Sequence, residues 1–305
     1  MKILATGLLF PEGPVVMADG SVVVTEMGRG RLTRITLDGA VSVLAETGGG
    51  PNGAALGEDG KLYVCNNGGL RFMERDGILR PIGASKDYRS GRIEMVNPET
   101  GKVDILYDRC GENLLAGPND IVLDGQGGMW FTDSGKHHHR HSQHGGIYWA
   151  KLDGSEIREV IYPLASPNGI GLSPDGETLY VSDTASARLY SWRVTGPGTL
   201  AKSSYPAPLG GRFIGGVPGP ARFDSLAISA SGRICVATIM VGGIAEFWPD
   251  GSAMRFHALP DLHVTNIAFG GPDMRTAYVT YSQGGMLVAL DWSEAGLQLH
   301  DGRPC

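Results

Sequence analysis

One unit recurs along this chain and limits the fold more than any other feature. Its clearest form is Pro118-Asn119-Asp120-Ile121-Val122-Leu123, a turn at Asp124-Gly125, and a second apolar run Met129-Trp130-Phe131-Thr132-Asp133. The same order appears from Pro11-Glu12-Gly13 to Glu26, from Pro51-Asn52-Gly53 to Asn66, and from Pro167-Asn168-Gly169 to Asp183. It appears again from Phe223-Asp224-Ser225 to Thr238 and from Thr265-Asn266-Ile267 to Thr280. The copies recur at blade-sized intervals of about 40–50 residues, some stretched by insertions.

Further strand pairs lie between the copies. Arg31–Ile35 and Val41–Leu44 flank Asp38-Gly39, Gly146–Ala150 and Ile157–Val160 flank Asp153-Gly154, and Ile244–Phe247 and Met254–Phe256 flank Asp250-Gly251. Asp-Gly between apolar runs signals a hairpin. Each unit therefore holds four antiparallel strands, and six units predict an all-β, six-bladed β-propeller occupying residues 1–305 as one domain. Closure of the ring is open at this level. Residues before Pro11 complete the last blade beside Gly285–Leu290, or Leu297-Gln298-Leu299 does.

Composition agrees. A hydrophobic content of 42% supports a sizeable core, and 47 glycines without a three-residue period suit short strands and turns. A net charge of −6 argues against a nucleic-acid partner, which needs a basic face. No apolar run is long enough to span a bilayer, so no membrane partner is expected. The first residues leave no room for a leader, and Cys65, Cys110, Cys235 and Cys305 show no CxxC spacing. These features predict a cytoplasmic protein with reduced thiols, Cys65 and Cys235 lying in the core.

In a propeller the innermost strands line a central channel. Glu12, Asn52, Asn119, Asn168, Asp224 and Asn266 open these strands, so they face one axis at one end. Such residues also cap strand starts and turns, but six in register, one of them Glu, ask for more. Carboxylates gathered with amide oxygens repel unless a cation neutralises them, and oxygen ligands suit a hard ion. Glu26, Asn66, Asp133, Asp183, Thr238 and Tyr281 end the second strands and belong to the same rim. Asp133 and Asp183 there either orient a ligand amide, hold a second ion, or bond to their own turns.

Phe10-Pro11-Glu12-Gly13-Pro14, Pro118-Asn119-Asp120, Ser166-Pro167-Asn168-Gly169 and Phe223-Asp224-Ser225-Leu226 resemble the motifs of the gluconolactonase / senescence-marker / luciferin-regenerating-enzyme family, in that family's order. The resemblance implies a six-bladed propeller with one divalent cation held by Glu12, Asn119, Asn168 and Asp224. Calcium is the first expectation, with magnesium, manganese or zinc as alternatives. It also implies hydrolysis of a lactone, a sugar-acid or related small cyclic ester, with Asp224 as general base. Asn52, Asp133, Asn266, His137 and His144 are the expected substrate-binding residues. Other hydrolyses or isomerisations on the same site, such as phosphotriester cleavage, and a non-catalytic binding propeller are the alternatives.

Two features stand apart. Some sugar-lactone members carry Arg two residues before the third-blade Asn, where this chain has Gly117; Arg71, Arg89, Arg212 or Arg222 are candidates to replace it. The run Lys136–His144 holds five of the chain's eight histidines and should overhang the channel mouth. One of them, His137 or His144, is expected to touch substrate or shuttle a proton. The other readings are metal scavenging by the cluster and a solvated loop. The stretch from Gly68 to Arg89 is expected to form a lid, and Phe213 to cover the pocket.

Overall fold

A computed structural model describes residues 1–75, 78–138, 140–204 and 208–299. Six antiparallel sheets are arranged as blades. Blade 1 comprises Pro11–Val16, Val22–Glu26, Arg31–Ile35 and Val41–Glu46. Blade 2 comprises Pro51–Leu56, Leu62–Asn66, Arg92–Val96 and Val103–Tyr107. Blade 3 comprises Pro118–Leu123, Gly128–Asp133, Gly145–Lys151 and Ile157–Leu164. Blade 4 has Pro167–Leu172, Thr178–Asp183 and Arg188–Gly196, with Thr199–Ala201 and Arg212–Gly216 both paired to the third strand. Blade 5 runs Arg222–Ile228, Ile234–Ile239, Gly243–Phe247 and Met254–Ala258. Blade 6 takes Val264–Gly270, Thr276–Tyr281 and Met286–Asp291 from the C-terminal part and Lys2–Ala5 from the N-terminus.

That last pairing decides how the ring closes. Lys2 and Ile3 pair with Ala289 and Val288, so the first strand completes the last blade. The outer edge of blade 6 is thereby hydrogen-bonded to the other end of the chain. Leu297 and Leu299 do something else. They line the apolar end of the channel, beside a cavity of about 110 Å³ walled by the innermost strands.

The second strands are largely apolar and buried, and Val22-Val23-Val24 is wholly so. Sequential hairpins form because Asp-Gly turns fit their geometry. Gly20 and Gly60 both take positive φ, 80° and 74°, which costs glycine little. Each neighbouring pair of blades shares an apolar cluster. Between blades 3 and 4 it includes Trp130, Trp149 and Trp192, and between blades 5 and 6 it includes Cys235 and Trp292. Cys65 lies in the cluster between blades 2 and 3. The expected core positions of both cysteines are therefore observed. Phe213 differs. It lies on the outer strand of blade 4, against Tyr190 and the Arg188 guanidinium, and does not cover the channel.

Candidate active site

The register of each innermost hairpin fixes where its polar residues point. Pro11 pairs with Glu26, Pro51 with Asn66, Pro118 with Asp133, Pro167 with Asp183, Phe223 with Thr238 and Val264 with Tyr281. Starts of first strands and ends of second strands thus share one rim, as expected. In blades 2 to 6 the ladder slips just after this pair, and in blade 1 one pair later, after Glu12 and Thr25, leaving a bulge. A bulge re-aims the residues it contains, here toward the axis.

Close approach at the axis explains the small residue that follows the channel position. A Cβ on Gly13 would lie 2.3 Å from the Asn52 carbonyl, and one on Gly169 would lie 2.6 Å from the Leu226 amide nitrogen. Blade 3 carries Asp120 at this place, and its carboxylate sits beside Gly53. Hydroxyls then tie each blade to the next. Thr25 donates to the Asn52 carbonyl at 2.7 Å and Ser182 to the Asp224 carbonyl at 2.6 Å. Thr132 does the same for Asn168. The channel residues are therefore held from the neighbouring blade as well as by their own strand.

Glu12, Asn52, Asp120, Asn168, Asp224 and Asn266 are all buried. Burial pushes the Glu12 carboxyl well above its usual range, reinforced by the charges of Asp224 and Asp120 and opposed by the Thr265 and Asn266 side chains beside it. Asp224 is pushed up to about 8 by burial and by Asp120, against the stabilising Asn168 side chain. Asp120 rises to about 7 through burial, although it accepts the Ile121 and Ile170 amides. Sequence reasoning passed over Asp120. The available signal was a carboxylate where the other PNG-type copies have Gly.

Four buried side-chain oxygens at this place have no hydrogen-bond partner: Glu12 Oε2, Asn52 Oδ1, Asn119 Oδ1 and Asn168 Oδ1. Buried polar atoms are seldom left in that condition. Acceptor oxygens grouped with mutually repelling carboxylates form a donor set suited to a hard divalent cation. The residues present therefore fit such an ion, with Asn52 joining the oxygens expected from sequence. Asn266 is different. Its amide oxygen accepts the Ile267 amide at 2.8 Å, and its side chain neighbours Glu12. Expected to bind substrate, it has its oxygen engaged by its own strand and its side chain against Glu12.

The rim residues hold loops. Asp133 accepts the amides of Ala116, Gly117 and Gly135 at 2.7, 2.7 and 2.8 Å. Asp183 accepts those of Ser166 and Ser186, Asn66 those of Gly50 and Gly68, and Glu26 that of Leu9. The recurrent partner is the chain just ahead of the channel residue. Asp133, expected to bind substrate, has three backbone donors on its carboxylate and fixes the turn that delivers Asn119.

A hairpin of Leu70–Arg75 and Ile78–Ala84 leaves blade 2 and reaches the rim loops of blades 1 and 6. Phe72 packs on Phe10 of blade 1 with ring centroids 5.2 Å apart. Glu74 and Leu79 share a cleft with Leu8–Phe10 and Ser282–Gly285, and the Ala84 amide bonds to the His137 carbonyl at 3.1 Å. His263, buried beneath this side with an unpartnered Nδ1, has its protonated form opposed by burial and by nearby Arg80.

Described residues of the histidine run contact one another across the loop. His137 Nδ1 meets Ser142 Oγ at 2.8 Å, and the His138 and His141 rings stack at 4.5 Å. His137 and His144, expected to touch substrate, are exposed; His139 lies outside the described residues. The residue that this run does bury is Lys136, which is 2% exposed. Arg71, Arg89, Arg212 and Arg222 are all exposed.

Comparison with known proteins is consistent with this architecture. The family model described as "SMP-30/Gluconolactonase/LRE-like region" matches residues 10–283. A pentonolactonase of Haloferax volcanii is 27% identical over 93% of this chain and 85% of its own. A gluconolactonase of Zymomonas mobilis is 23% identical over 88% of this chain and 76% of its own. Among solved structures, a gluconolactonase of Xanthomonas campestris superposes with a TM-score of 0.74 at 22% identity, over 95% of this chain and 88% of its own. The calcium-binding regucalcin of Agrobacterium tumefaciens gives 0.70 at 19% identity, over 98% of this chain and 97% of its own.

Proposed function

The chain belongs to the SMP-30/gluconolactonase/LRE-like family, and we propose that it is a divalent-cation-dependent hydrolase that opens a sugar-acid or related small lactone. The observation that carries this reading is the group of unpartnered oxygens on Glu12, Asn52, Asn119 and Asn168 beside the buried Asp224. The names of the lactonase relatives support the substrate class. Glu12, Asn119, Asn168 and Asp224 would hold the cation, calcium foremost.

A bound cation supplies Lewis-acid polarisation of the ester carbonyl and offsets charge on the tetrahedral oxyanion. The chain's own groups do the rest. Asp224 accepts a proton from the attacking water as the water oxygen bonds to the carbonyl carbon. It returns that proton to the ring oxygen as the ring C–O bond breaks, releasing a hydroxy acid. Glu12 balances charge and is oriented by Thr265 and Asn266. The hairpin at the rim limits bulk water, which strengthens each electrostatic contact beside it.

The test is a panel of lactones assayed after chelation and after return of Ca²⁺, Mg²⁺, Mn²⁺ or Zn²⁺. Cation-dependent ring opening is expected. No turnover across the panel would reject the lactonase reading and direct attention to phosphotriesters.

A further inference from the structure

The loop after Asp133 buries a cation in an unusual setting. Lys136 Nζ donates to the Asn67 carbonyl at 2.5 Å and approaches Asn67 Oδ1 at 3.3 Å. It stands 4.5 Å from the centre of the Tyr88 ring. It forms no ion pair among the described residues, and the carboxylate that favours its charge, Asp133, is already spent on three backbone amides. Burial pushes this ammonium down to about 7. An unpaired buried charge is costly, and such groups gather where function needs them.

Its position relates it to the channel. Asn67 bonds through its amide to the Gly50 carbonyl, two residues before Asn52. Tyr88 donates its hydroxyl to the Ala116 carbonyl, three residues before Asn119. The ammonium's two partners, Asn67 and Tyr88, are thus bonded to the segments that lead into the innermost strands of blades 2 and 3. Gly117 shows why the cation comes from this loop. A Cβ there would lie 2.4 Å from the Gly135 carbonyl, so the loop fills the space that a side chain at 117 would need. The residue that follows Gly135 is Lys136.

We propose that Lys136 is a specificity-determining residue, its ammonium taking a hydroxyl oxygen of a polyhydroxylated lactone at the blade 2–blade 3 side of the mouth. An ammonium has three donors, and here both acceptors belong to one residue, Asn67. Lys136 is as enclosed as Glu12, each being 2% exposed. The inference rests on the lactonase reading above and refines its substrate.

The experiment compares glucono-1,5-lactone with δ-valerolactone, which has the same ring and no hydroxyls, in wild type, Lys136→Met and Lys136→Gln. For the hydroxylated lactone KM is expected to rise about tenfold or more, the scale of a hydrogen bond to a charged group, with kcat changed far less. For δ-valerolactone KM should stay within about twofold of wild type. Cation-induced thermal stabilisation, read separately, should match wild type. If Lys136→Met is too unstable, Lys136→Gln removes the charge while keeping a donor for Asn67. A wild type that opens both lactones, with an unchanged KM ratio in the folded variant, overturns this inference and leaves the lactonase reading standing. A wild type that opens neither overturns both.

Discussion

Thr25 in blade 1 donates its hydroxyl to the main-chain carbonyl of Asn52 in blade 2, at 2.7 Å and fully buried. A side chain at the end of one blade thus sets the backbone from which the next blade's channel residue projects. Thr132 and Ser182 repeat the contact onto Asn168 and Asp224. The channel geometry is therefore a property of the ring. Thr25→Val keeps the shape and removes the donor, leaving a buried carbonyl unsatisfied. A loss of about 1–3 kcal/mol in urea unfolding is expected. A stability within error of wild type would show the tether to be dispensable.

The buried carboxylates should matter to activity more than to folding. Glu12→Gln and Asp224→Asn replace buried carboxyls whose ionisation the apo channel opposes, so chelated variants should melt at or above the wild-type temperature. Lactone hydrolysis should fall by about 100-fold or more, because the general base or the cation site is lost. Assays of both quantities on one preparation separate the effects. Retained turnover in Asp224→Asn would remove it from the mechanism.

The same groups give the chelated protein a pH dependence of definite sign. Burial raises Asp120 to about 7 and Asp224 to about 8, with Glu12 raised as well. From about pH 4 to pH 8 the folded chain keeps protons that the unfolded chain has released, so stability falls as pH rises. Chelated protein should melt higher near pH 5 than near pH 8. Added Ca²⁺ should then stabilise more at the higher pH, where the carboxylates need it. An equal Ca²⁺ shift at both values would contradict the assignment.

The exposed histidines offer a contrasting expectation. His137→Ala and His144→Ala change groups directed to solvent, and kcat/KM should remain within about twofold of wild type. A loss of tenfold or more in either variant would return the histidine to the substrate site.

Much of the fold was legible because its physics is local and repeated. Asp-Gly corners at Gly20 and Gly60, β-branched second strands and six aligned copies give hairpins, then blades, then a ring. The rim residues were placed correctly in register, since pairing Pro118 with Asp133 follows from hairpin length. Their occupation was not legible. Whether Asp133 meets a ligand or three amides depends on where the chain before Asn119 runs, and that path is set by contacts between loops.

The histidine run shows the same limit from another side. A cluster of titratable residues draws attention in sequence, yet its rings stack on one another, and the lysine at its start is the side chain the fold encloses. Asp120 was missed because alternation along a strand points it away from its neighbour Asn119, and only the bulge brings both toward the axis.

The sequence by itself determined the repeating unit, the propeller and the six residues that open its inner strands, because periodicity and turn chemistry act over a few residues at a time. Only the tertiary structure decided that Lys2–Ala5 closes the ring, that Asp120 joins Glu12 and Asp224, and that Lys136 is the buried cation beside the mouth. Those outcomes depend on burial and on contacts between distant parts of the chain, which exist only once the blades have packed.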